Sequence, residues 1–329
     1  MSSIFGKLFT LTSWGESHGK AIGAVVDGCP AGLEISEEYI QKFLDRRRPG
    51  QALTTQRKES DTVQILSGVF EGKTTGTPIS LIVENNDQRS ADYEQIKDWY
   101  RPGHADETYD SKYGFRDYRG GGRSSARETI ARVAAGSIAR KFLNEKYGTE
   151  FNACVSAVGN NALGHGTWDM GHDNSQLSTL NSQLRKSEDS IGGIVDLTIK
   201  NPPKNLGEPV FDRTEALLAM AMMSIPATKG FEIGAGFSAA SMLGSEHNKL
   251  GENHAGGVYG GITSGEDIYC RIAFKPTPSI SQLQKAKNKN GEIGEISIKG
   301  RHDPCVAIRA PVIVESMAAL VLMDLWLMR

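Results

Sequence analysis

The sequence has few cysteines, and no two of them are close together in the chain. The four, at positions 29, 154, 270 and 305, are far apart and form no Cys-x-x-Cys motif. This spacing argues against a zinc site and against a disulfide framework, and it favours a reducing compartment such as the cytoplasm. We therefore expect no bound metal.

An excess of positive charge is also missing. The chain has 37 Lys and Arg residues against 39 Asp and Glu, a formal net charge of −2. General nucleic-acid binding needs a strongly basic surface, so the balance argues against it. Positive charge is instead local, because five arginines between residues 116 and 132 accompany only Asp117 and Glu128. That pattern favours a small anionic ligand.

Long uninterrupted apolar runs are absent as well. The most apolar segment, residues 312–328, contains Glu315 and Asp324, and a membrane span needs about 20 apolar residues. We expect no membrane span, but a helix buried in a core or a subunit interface. The N-terminal residues do not have the basic and then apolar pattern of a secretory signal, so none is expected.

Short apolar runs alternate with turns rich in the 37 glycines of the chain. Period and flanking residues predict strands at 22–27, 62–69, 78–84, 151–158, 193–199 and 268–274, and helices at 36–47, 125–145, 175–187, 212–223 and 312–328. The polar, Lys-rich residues 281–299 predict a mobile loop. No linker or repeat divides the chain, so we predict a single α+β domain over residues 1–329, with helices and sheets in layers.

Candidate ligand-binding residues are most concentrated where three glycines at 120–122 lead into a predicted helix. Ser125 and Glu128 have the Ser-x-x-Glu spacing of a capping box. A glycine-rich turn before a helix favours anion binding, because free N–H groups and the positive end of the helix dipole point the same way. Three arginines surround this helix start: Arg119, Arg123 and Arg127.

Other segments place histidines, arginines and carboxylates in turns. His18 lies in Gly-Glu-Ser-His-Gly at 15–19, and His104 in Arg-Pro-Gly-His-Ala-Asp at 101–106. Histidine exchanges protons near neutral pH, although a surface turn explains His18 alone equally well. Near the C-terminus stand Lys-Pro-Thr-Pro-Ser at 275–279 and Gly-Arg-His-Asp-Pro-Cys at 300–305. The arginine run 46–48, taken alone, is typical of a solvated helix end.

Two glycine motifs are weaker. Residues 68–74 are one residue too short for a phosphate-binding P-loop, so a hairpin turn is the better prediction. Residues 234–239 match Gly-x-Gly-x-x-Ala, but no long helix or βαβ unit accompanies them, which argues against a dinucleotide site.

Taken together, the motifs resemble one family, chorismate synthase, over about residues 6 to 328. The segments that carry the resemblance are 15–19, Asp-Arg-Arg-Arg-Pro-Gly at 45–50, 101–106, Gly-Gly-Gly-Arg-Ser-Ser-Ala-Arg-Glu-Thr at 120–129, and 300–305. The resemblance implies a β-α-β sandwich that assembles as a homotetramer. It also implies a lyase of the shikimate pathway, which forms chorismate from 5-enolpyruvylshikimate 3-phosphate by anti-1,4 elimination of phosphate. Reduced FMN (FMNH2) is required, without net redox change.

The resemblance also implies site residues, each carried over from a matching motif. His18, His104 and Asp303 are expected to be catalytic, with His104 as the acid for the leaving phosphate and the other two handling protons at the flavin. The residues expected to bind the anionic groups of the substrate are Ser17, Arg47, Arg101, Arg127 and Arg301. Those expected to bind FMN are Arg123, Ser124, Ser125, Pro226, Ala227, Gly260, Lys275, Pro276, Thr277, Pro278, Ser279 and Arg301.

The chain departs from the family pattern after Pro49, where the segment looks one residue short. Leu53 stands about where relatives often have a second basic residue, which argues against contact with a nucleotide such as NADP there. The chain most resembles the monofunctional type, which takes reduced flavin from an external reductase. Two other classes stay open: a flavin or phosphate-metabolite binding protein without catalysis, and an RNA-binding protein that uses the arginine-rich helix start.

Overall fold

Two antiparallel sheets and a layer of helices between them make up the architecture. The computed structural model describes residues 3–48, 54, 61–85, 93–94, 96–163, 175–298 and 303–329. Its α-helices are α1 Glu37–Arg47, α2 Asp106–Tyr113, α3 Thr129–Tyr147, α4 Ser175–Ser187, α5 Thr214–Met223, α6 Gly244–His247 and α7 Pro311–Met328. Its strands are β1 Ile4–Phe5, β2 Thr10–Gly15, β3 Ala21–Asp27, β4 Val63–Ile65, β5 Val69–Phe70, β6 Lys73–Thr74, β7 Ile79–Glu84, β8 Trp99–Tyr100, β9 Glu150–Val158, β10 Asn161–Ala162, β11 Gly193–Lys200, β12 Thr228–Ile233, β13 Val258–Tyr259, β14 Ile262–Thr263, β15 Ile268–Phe274, β16 Gln284–Asn288 and β17 Ile293–Ile296.

The two large sheets each have five strands, in the orders β1-β2-β3-β7-β4 and β10-β9-β11-β15-β12. Apolar side chains alternate along their strands, as Ile79, Leu81 and Val83 do along β7, so one face of the sheet is buried. Helix α3 packs on β2, β3 and β7, α7 packs on β9 and β11, and the two helices pack on each other. The predicted α+β fold with a β-α-β sandwich is confirmed.

Helix α7 is the centre of the helical layer. Its residues from Val312 to Leu325 are buried. Length and composition alone would let α7 cross a membrane, so the two acidic residues do not exclude this as the sequence suggested. However, 78% of the helix is buried inside the protein, as expected for a core helix. Both acids have partners: Glu315 pairs with Arg46 and Arg140, and Asp324 accepts three backbone N–H bonds.

The predicted capping box at the start of the 125–145 helix does not form. Ser125 Oγ accepts from the N–H of Arg127 at 3.3 Å and caps a 3-10 turn, Ala126–Glu128, that precedes α3. The Glu128 carboxylate contacts Ser13 and Arg132 instead of returning to the Ser125 N–H. Glu128 is buried, and its contacts with the distant Ser13 and with Arg132, four residues further along, compete successfully with the capping contact. By contrast, Ser36 caps α1 as the sequence predicts.

Residues 281–299 were expected to form a mobile loop, and this prediction is wrong for the described residues 281–298. Strands β16 and β17 pair as a hairpin, and β8 extends it to three strands. Ala286, Ile296 and Ile298 form a small buried cluster beneath it. Three apolar residues were too few to show as a pattern within a Lys-rich sequence.

Most predicted strands and helices are present within a few residues of the expected bounds. The predicted strand 62–69 is divided into β4 and β5. Among the strands and α-helices of at least five residues, β2, β12, β16 and α2 were not predicted, and most of the shorter strands were not predicted either. Residues 68–74 form the expected turn, here between β5 and β6. Residues 234–239 follow β12 and enter a 3-10 turn, Gly236–Ser241, rather than an α-helix, so the dinucleotide motif is not supported.

Candidate active site

A cavity of about 460 Å³ lies where turns from both halves of the chain meet. Three arginines and a lysine, Arg101, Arg127, Arg309 and Lys275, line it among the described residues, against one carboxylate, Asp303. The other lining residues are Ser17, His18, Tyr93, Gly103, His104, Ala105, Gly120, Gly121, Ser124, Ser125, Ala126, Pro226, Ala227, Thr277, Pro278, Ser279 and Val306. The surplus of positive charge suits a ligand with several negative groups.

His18 is held in the turn that follows β2. Its Nδ1 lies 3.1 Å from Ser17 Oγ, and the edge of its ring packs against Tyr93 with 5.3 Å between the ring centroids. Gly120 makes room for the ring, because a Cβ there would lie 2.2 Å from His18 Nδ1. Its φ of +65° is also one that favours glycine. The glycine-rich turn therefore serves His18 as well as the helix start.

His104 precedes α2, whose first residue, Asp106, orients it. His104 Nδ1 lies 2.9 Å from Asp106 Oδ1, which leaves Nε2 for a ligand. Arg101 donates to the same carboxylate from Nε and Nη2, both at 2.8 Å. Burial alone would raise the pKa of Asp106, but the hydrogen bonds from Arg101 and His104 outweigh it and hold this pKa below its ordinary value.

Burial lowers the pKa of His104 below its ordinary value of 6.5. The hydrogen bond to Asp106 opposes this shift, whereas the positive charges of Arg101 and Lys275 add to it. Burial likewise lowers the pKa of Lys275, and the nearby Lys229 adds to the effect. An arriving anion would reverse both effects, because it favours the protonated forms.

Arg127 is fixed from two sides. Its Nη1 lies 2.9 Å from Asp61 Oδ1, and its Nε donates to Asn85 Oδ1 at 2.6 Å. Asn85 in turn donates to the carbonyl oxygens of Glu16 and Gly19, on either side of the segment that bears Ser17 and His18. The guanidinium group of Arg127 is thus oriented before any ligand binds.

The turn at residues 275–279 and the segment that contains Asp303 form the opposite side of the cavity. Thr277 Oγ1 donates to the backbone oxygen of Asp303 at 2.9 Å, and Lys275 Nζ donates to Gly103 O at 2.6 Å. Arg309 Nη1 lies 2.9 Å from Asp303 Oδ2. These bonds tie the 275–279 turn both to the His104 turn and to Asp303.

The structure brings together most of the residues expected from the sequence. His18, His104 and Asp303 line the same cavity, as do Ser17, Arg101 and Arg127. The expected flavin residues that also line it are Ser124, Ser125, Pro226, Ala227, Lys275, Thr277, Pro278 and Ser279. Pro276 is not among the lining residues, although it lies within the same turn.

Three other expected residues lie away from the cavity wall. Arg123 points to the far side of the glycine-rich turn, where it donates to the Gly15 carbonyl and to Ser13. Arg47 lies behind the wall and pairs with Asp61 at 2.5 Å. Gly260 lies in the β13–β14 turn, and Arg301 and Leu53 lie outside the described residues.

Four residues at the site were missed by sequence reasoning: Tyr93, Arg309, Asp61 and Asn85. Asp61 and Asn85 each lie beside a predicted strand, where polar residues are common. Arg309 lies in a short 3-10 turn, Val306–Arg309, that no local pattern marks. Each of the four contacts a residue that a motif did identify. Only these contacts in the folded structure, and no sequence pattern, mark the four residues.

The fold and this cavity together define an enzyme with a small-molecule site that carries a surplus of positive charge. The chain belongs to the chorismate synthase family, whose model, described as "Chorismate synthase", matches residues 9–327. It is therefore a lyase of the chorismate-forming step in the shikimate pathway.

Two curated relatives illustrate the match. Chorismate synthase from Methylobacillus flagellatus is 53% identical over 336 residues, covering 97% of this chain and 93% of the relative. Chorismate synthase from Christiangramia forsetii is 53% identical over 345 residues, covering 98% and 97%. A solved structure titled "Crystal Structure of Chorismate Synthase" has a TM-score of 0.77 and 30% identity, and the match covers 98% of this chain and 93% of that one.

Proposed function

We propose that the cavity binds 5-enolpyruvylshikimate 3-phosphate and eliminates its phosphate in the anti-1,4 sense, giving chorismate with no net redox change. The observation that carries the proposal is the convergence of His18, His104 and Asp303 with Arg101 and Arg127 around one cavity. A substrate with two carboxylates and a phosphate needs guanidinium groups, and the loss of phosphate needs an acid. Ser17, Arg101, Arg127 and Arg301 would bind its anionic groups.

His104 is the proposed acid for the leaving group. Asp106 holds Nδ1, so Nε2 can present its proton to a phosphate oxygen. The second pKa of a phosphate ester is about 6. The ligand's negative charge would raise the pKa of His104 above its value in the empty cavity, so that the ring can carry the proton that it donates to the phosphate. Arg101, buried beside the same carboxylate, contributes positive charge at this position.

The residues on the remaining wall fit reduced FMN. Pro226, Ala227 and Pro278 offer apolar surface, Ser124, Ser125, Thr277 and Ser279 offer hydroxyl groups, and Lys275 offers an ammonium. The Lys275 N–H donates to Ala227 O at 2.9 Å, which joins two of these segments. When bound, reduced FMN supplies the electron density that cleavage of the C–O bond needs. His18 and Asp303 would hold protons at the flavin, and Pro276 and Arg301 complete the proposed set. Arg123 and Gly260 do not line the cavity, so their proposed contribution to flavin binding is indirect, through the turns that contain them.

The remaining features of the proposal concern the whole protein. The chain would form one domain over 1–329, since α3 and α7 join both sheets through one core. We also propose a homotetramer in the cytoplasm, reduced flavin delivered by an external reductase, and no membrane or nucleic-acid partner. No nucleotide contact of the NADP kind is proposed.

The test is an anaerobic assay with chemically reduced FMN and 5-enolpyruvylshikimate 3-phosphate. We expect phosphate and chorismate to appear in equal amounts, and oxidised FMN alone to give no turnover. The variant His104→Ala should lose at least about 10²-fold in kcat, the lower range for general acid catalysis, while still perturbing the flavin spectrum. Flavin binding without turnover by the wild type would instead identify a non-catalytic binder.

A further inference from the structure

A buried carboxylate, Asp61, lies between two arginines that were both expected to bind substrate. Arg47 Nη2 lies 2.5 Å from Asp61 Oδ2, and Arg127 Nη1 lies 2.9 Å from Asp61 Oδ1. The side chain of Asp61 is fully buried, that of Arg47 is 1% exposed, and that of Arg127 is 11% exposed. We call these three residues the Arg47–Asp61–Arg127 triad.

Only one member of the triad reaches the cavity. Arg127 is among the lining residues, whereas Arg47 lies on the other side of Asp61. The backbone oxygen of Arg47 accepts from Arg309 Nε at 2.8 Å, so the segment is fixed behind the wall. In this geometry a ligand in the cavity meets Arg127 first.

The charges of the triad matter more than its number of contacts. Two guanidinium groups and one carboxylate leave a net charge of +1. Burial alone would raise the pKa of Asp61, but the charges of Arg47 and Arg127 outweigh it and keep this pKa below its ordinary value, so the carboxylate stays ionised. If Arg47 were neutral, Asp61 would cancel the charge of Arg127 close to the cavity.

We propose that Arg47 and Asp61 are positioning residues for the substrate, and that neither of them contacts it. Asp61 directs the guanidinium group of Arg127, and Arg47 neutralises Asp61 so that the charge of Arg127 remains available to an anionic group. This inference rests on the proposed function, since it takes the ligand of the cavity to be an anion. It differs from the direct contact by Arg47 that the family resemblance implies.

The test compares Arg47→Met, Asp61→Asn and the double variant in the anaerobic assay. We expect Arg47→Met to raise KM by about 10- to 100-fold, the range for losing a hydrogen bond to a charged group, with a smaller change in kcat. Adding Asp61→Asn should bring KM most of the way back to the wild-type value, because no carboxylate then cancels the charge of Arg127. A double variant no better than Arg47→Met would overturn the proposal, as would an unchanged KM in Arg47→Met.

A matched control exists one residue earlier in α1. Glu315 lies between Arg46 and Arg140, at 2.7 and 2.6 Å, and none of the three lines the cavity. Arg46→Met and its double variant with Glu315→Gln should lower the thermal unfolding midpoint yet leave KM unchanged. A KM that rises and recovers equally in this control series would show a general effect of the fold and overturn the proposal.

Binding of inorganic phosphate, followed by calorimetry, separates failure of this inference from failure of the proposed function. We expect the phosphate affinities to follow the KM values: the wild type and the double variant should bind phosphate tightly, and Arg47→Met should bind it weakly. If the wild type shows no turnover but the phosphate affinities follow this order, the proposed reaction is wrong and the inference about the triad still holds. If Arg47→Met does not fold, Arg47→Lys keeps the charge and should keep phosphate affinity within about threefold, and a tenfold loss would overturn the proposal.

Discussion

At the scale of single residues, His104 shows how opposing effects prepare an acid. Desolvation favours its neutral ring, while the bond to Asp106 favours the charged one. The ionised Asp106 is itself maintained by Arg101. The result is a histidine whose pKa is held below its ordinary value, and a bound anion would raise this pKa again.

The protonation of His104 gives a prediction about pH. We expect its ring to titrate below 6.5 in the free protein and higher when inorganic phosphate is bound. Because the folded-state pKa lies below the unfolded one, this residue reduces stability as the pH falls from about 6.5 toward the folded-state pKa. NMR titration of the histidine rings, with His104→Ala to assign the signal, measures both values.

The variant Asp106→Asn provides the comparison for this titration. It removes the negative charge that raises the pKa of His104 and leaves at most a neutral hydrogen-bond acceptor, so the ring should titrate lower still. A free-state pKa at or above 6.5, or one that phosphate does not move, would contradict the proposed role of His104.

Motifs predict single residues well where chemistry and backbone geometry coincide. His18, His104 and Asp303 each stand in a turn with glycine or proline, and all three line the cavity. Asp61 and Asn85 escaped notice because their importance comes from partners 66 and 42 residues further along the chain, at Arg127. No local pattern encodes such a pairing, and only the folded chain creates it.

At the scale of elements, the glycine-rich turn at 120–122 forms a wall of the cavity that is only one chain segment thick. Gly120, Gly121, Ser124 and Ser125 border the cavity, while Arg123 extends to the other side. There its guanidinium group joins the end of β2 through Ser13 and Gly15. The wall is therefore attached to the strand that leads directly to Ser17 and His18.

This wall predicts a specific effect of Gly120→Ala. The new Cβ would lie 2.2 Å from His18 Nδ1 and 2.9 Å from Ser17 Oγ, so His18 must move. We expect kcat to fall by at least about 10²-fold, as when a proton-transfer group is lost, with the fold retained. The anaerobic assay and circular dichroism measure the two quantities.

Gly122→Ala is the matched control for the turn. Gly122 has a φ of +52°, but a Cβ there meets nothing within 4 Å. It should cost only the strain of a left-handed residue, about 1 kcal/mol, and leave kcat near that of the wild type. Equal losses in the two variants would show that turn strain, rather than the contact with His18, governs activity.

Element prediction succeeded where burial imposes a clear period. Burial alternates along strand β7, where Ile79, Leu81 and Val83 are buried, and α7 is apolar around most of its circumference. Element prediction failed for β16 and β17. Polar residues dominate β16 and the turn after it, β17 has only four residues, and cross-strand pairing supplies the order. Likewise, Ser125 and Glu128 have capping-box spacing, yet Ser13 and Arg132 bind the glutamate instead.

At the scale of the whole molecule, the cavity exists because distant segments share one core. Lys275 reaches Gly103 across 172 positions of sequence, and Arg46 reaches Glu315 across 269. The pattern of predicted strands and helices gave the mixed α+β class, and the family resemblance implied the β-α-β sandwich, but neither indicated which turns would meet. Strand order is set by pairings such as β3 with β7, for which the sequence carries no separate signal.

Asp324 joins the two ends of the chain and gives a prediction at this scale. Its carboxylate, nearly buried in α7, accepts the backbone N–H groups of Lys7, Leu8 and Phe9 at 2.7 to 2.9 Å. Bonds to a charged group contribute about 1.5–3 kcal/mol each. Asp324→Ala should therefore lower the free energy of unfolding by several kcal/mol in urea titrations and speed amide exchange at residues 7–9.

The control is Asp27→Ala, because Asp27 accepts a single backbone bond, from Gly28 at 2.8 Å, at an exposed position. Water replaces that bond readily, so the free energy of unfolding should change by less than about 1 kcal/mol. If both variants unfold at the same urea concentration, the link between the ends of the chain does not stabilise the core. A large effect confined to Asp324→Ala, with faster exchange at residues 7–9, would establish that the first sheet is fastened to the central helix at this carboxylate.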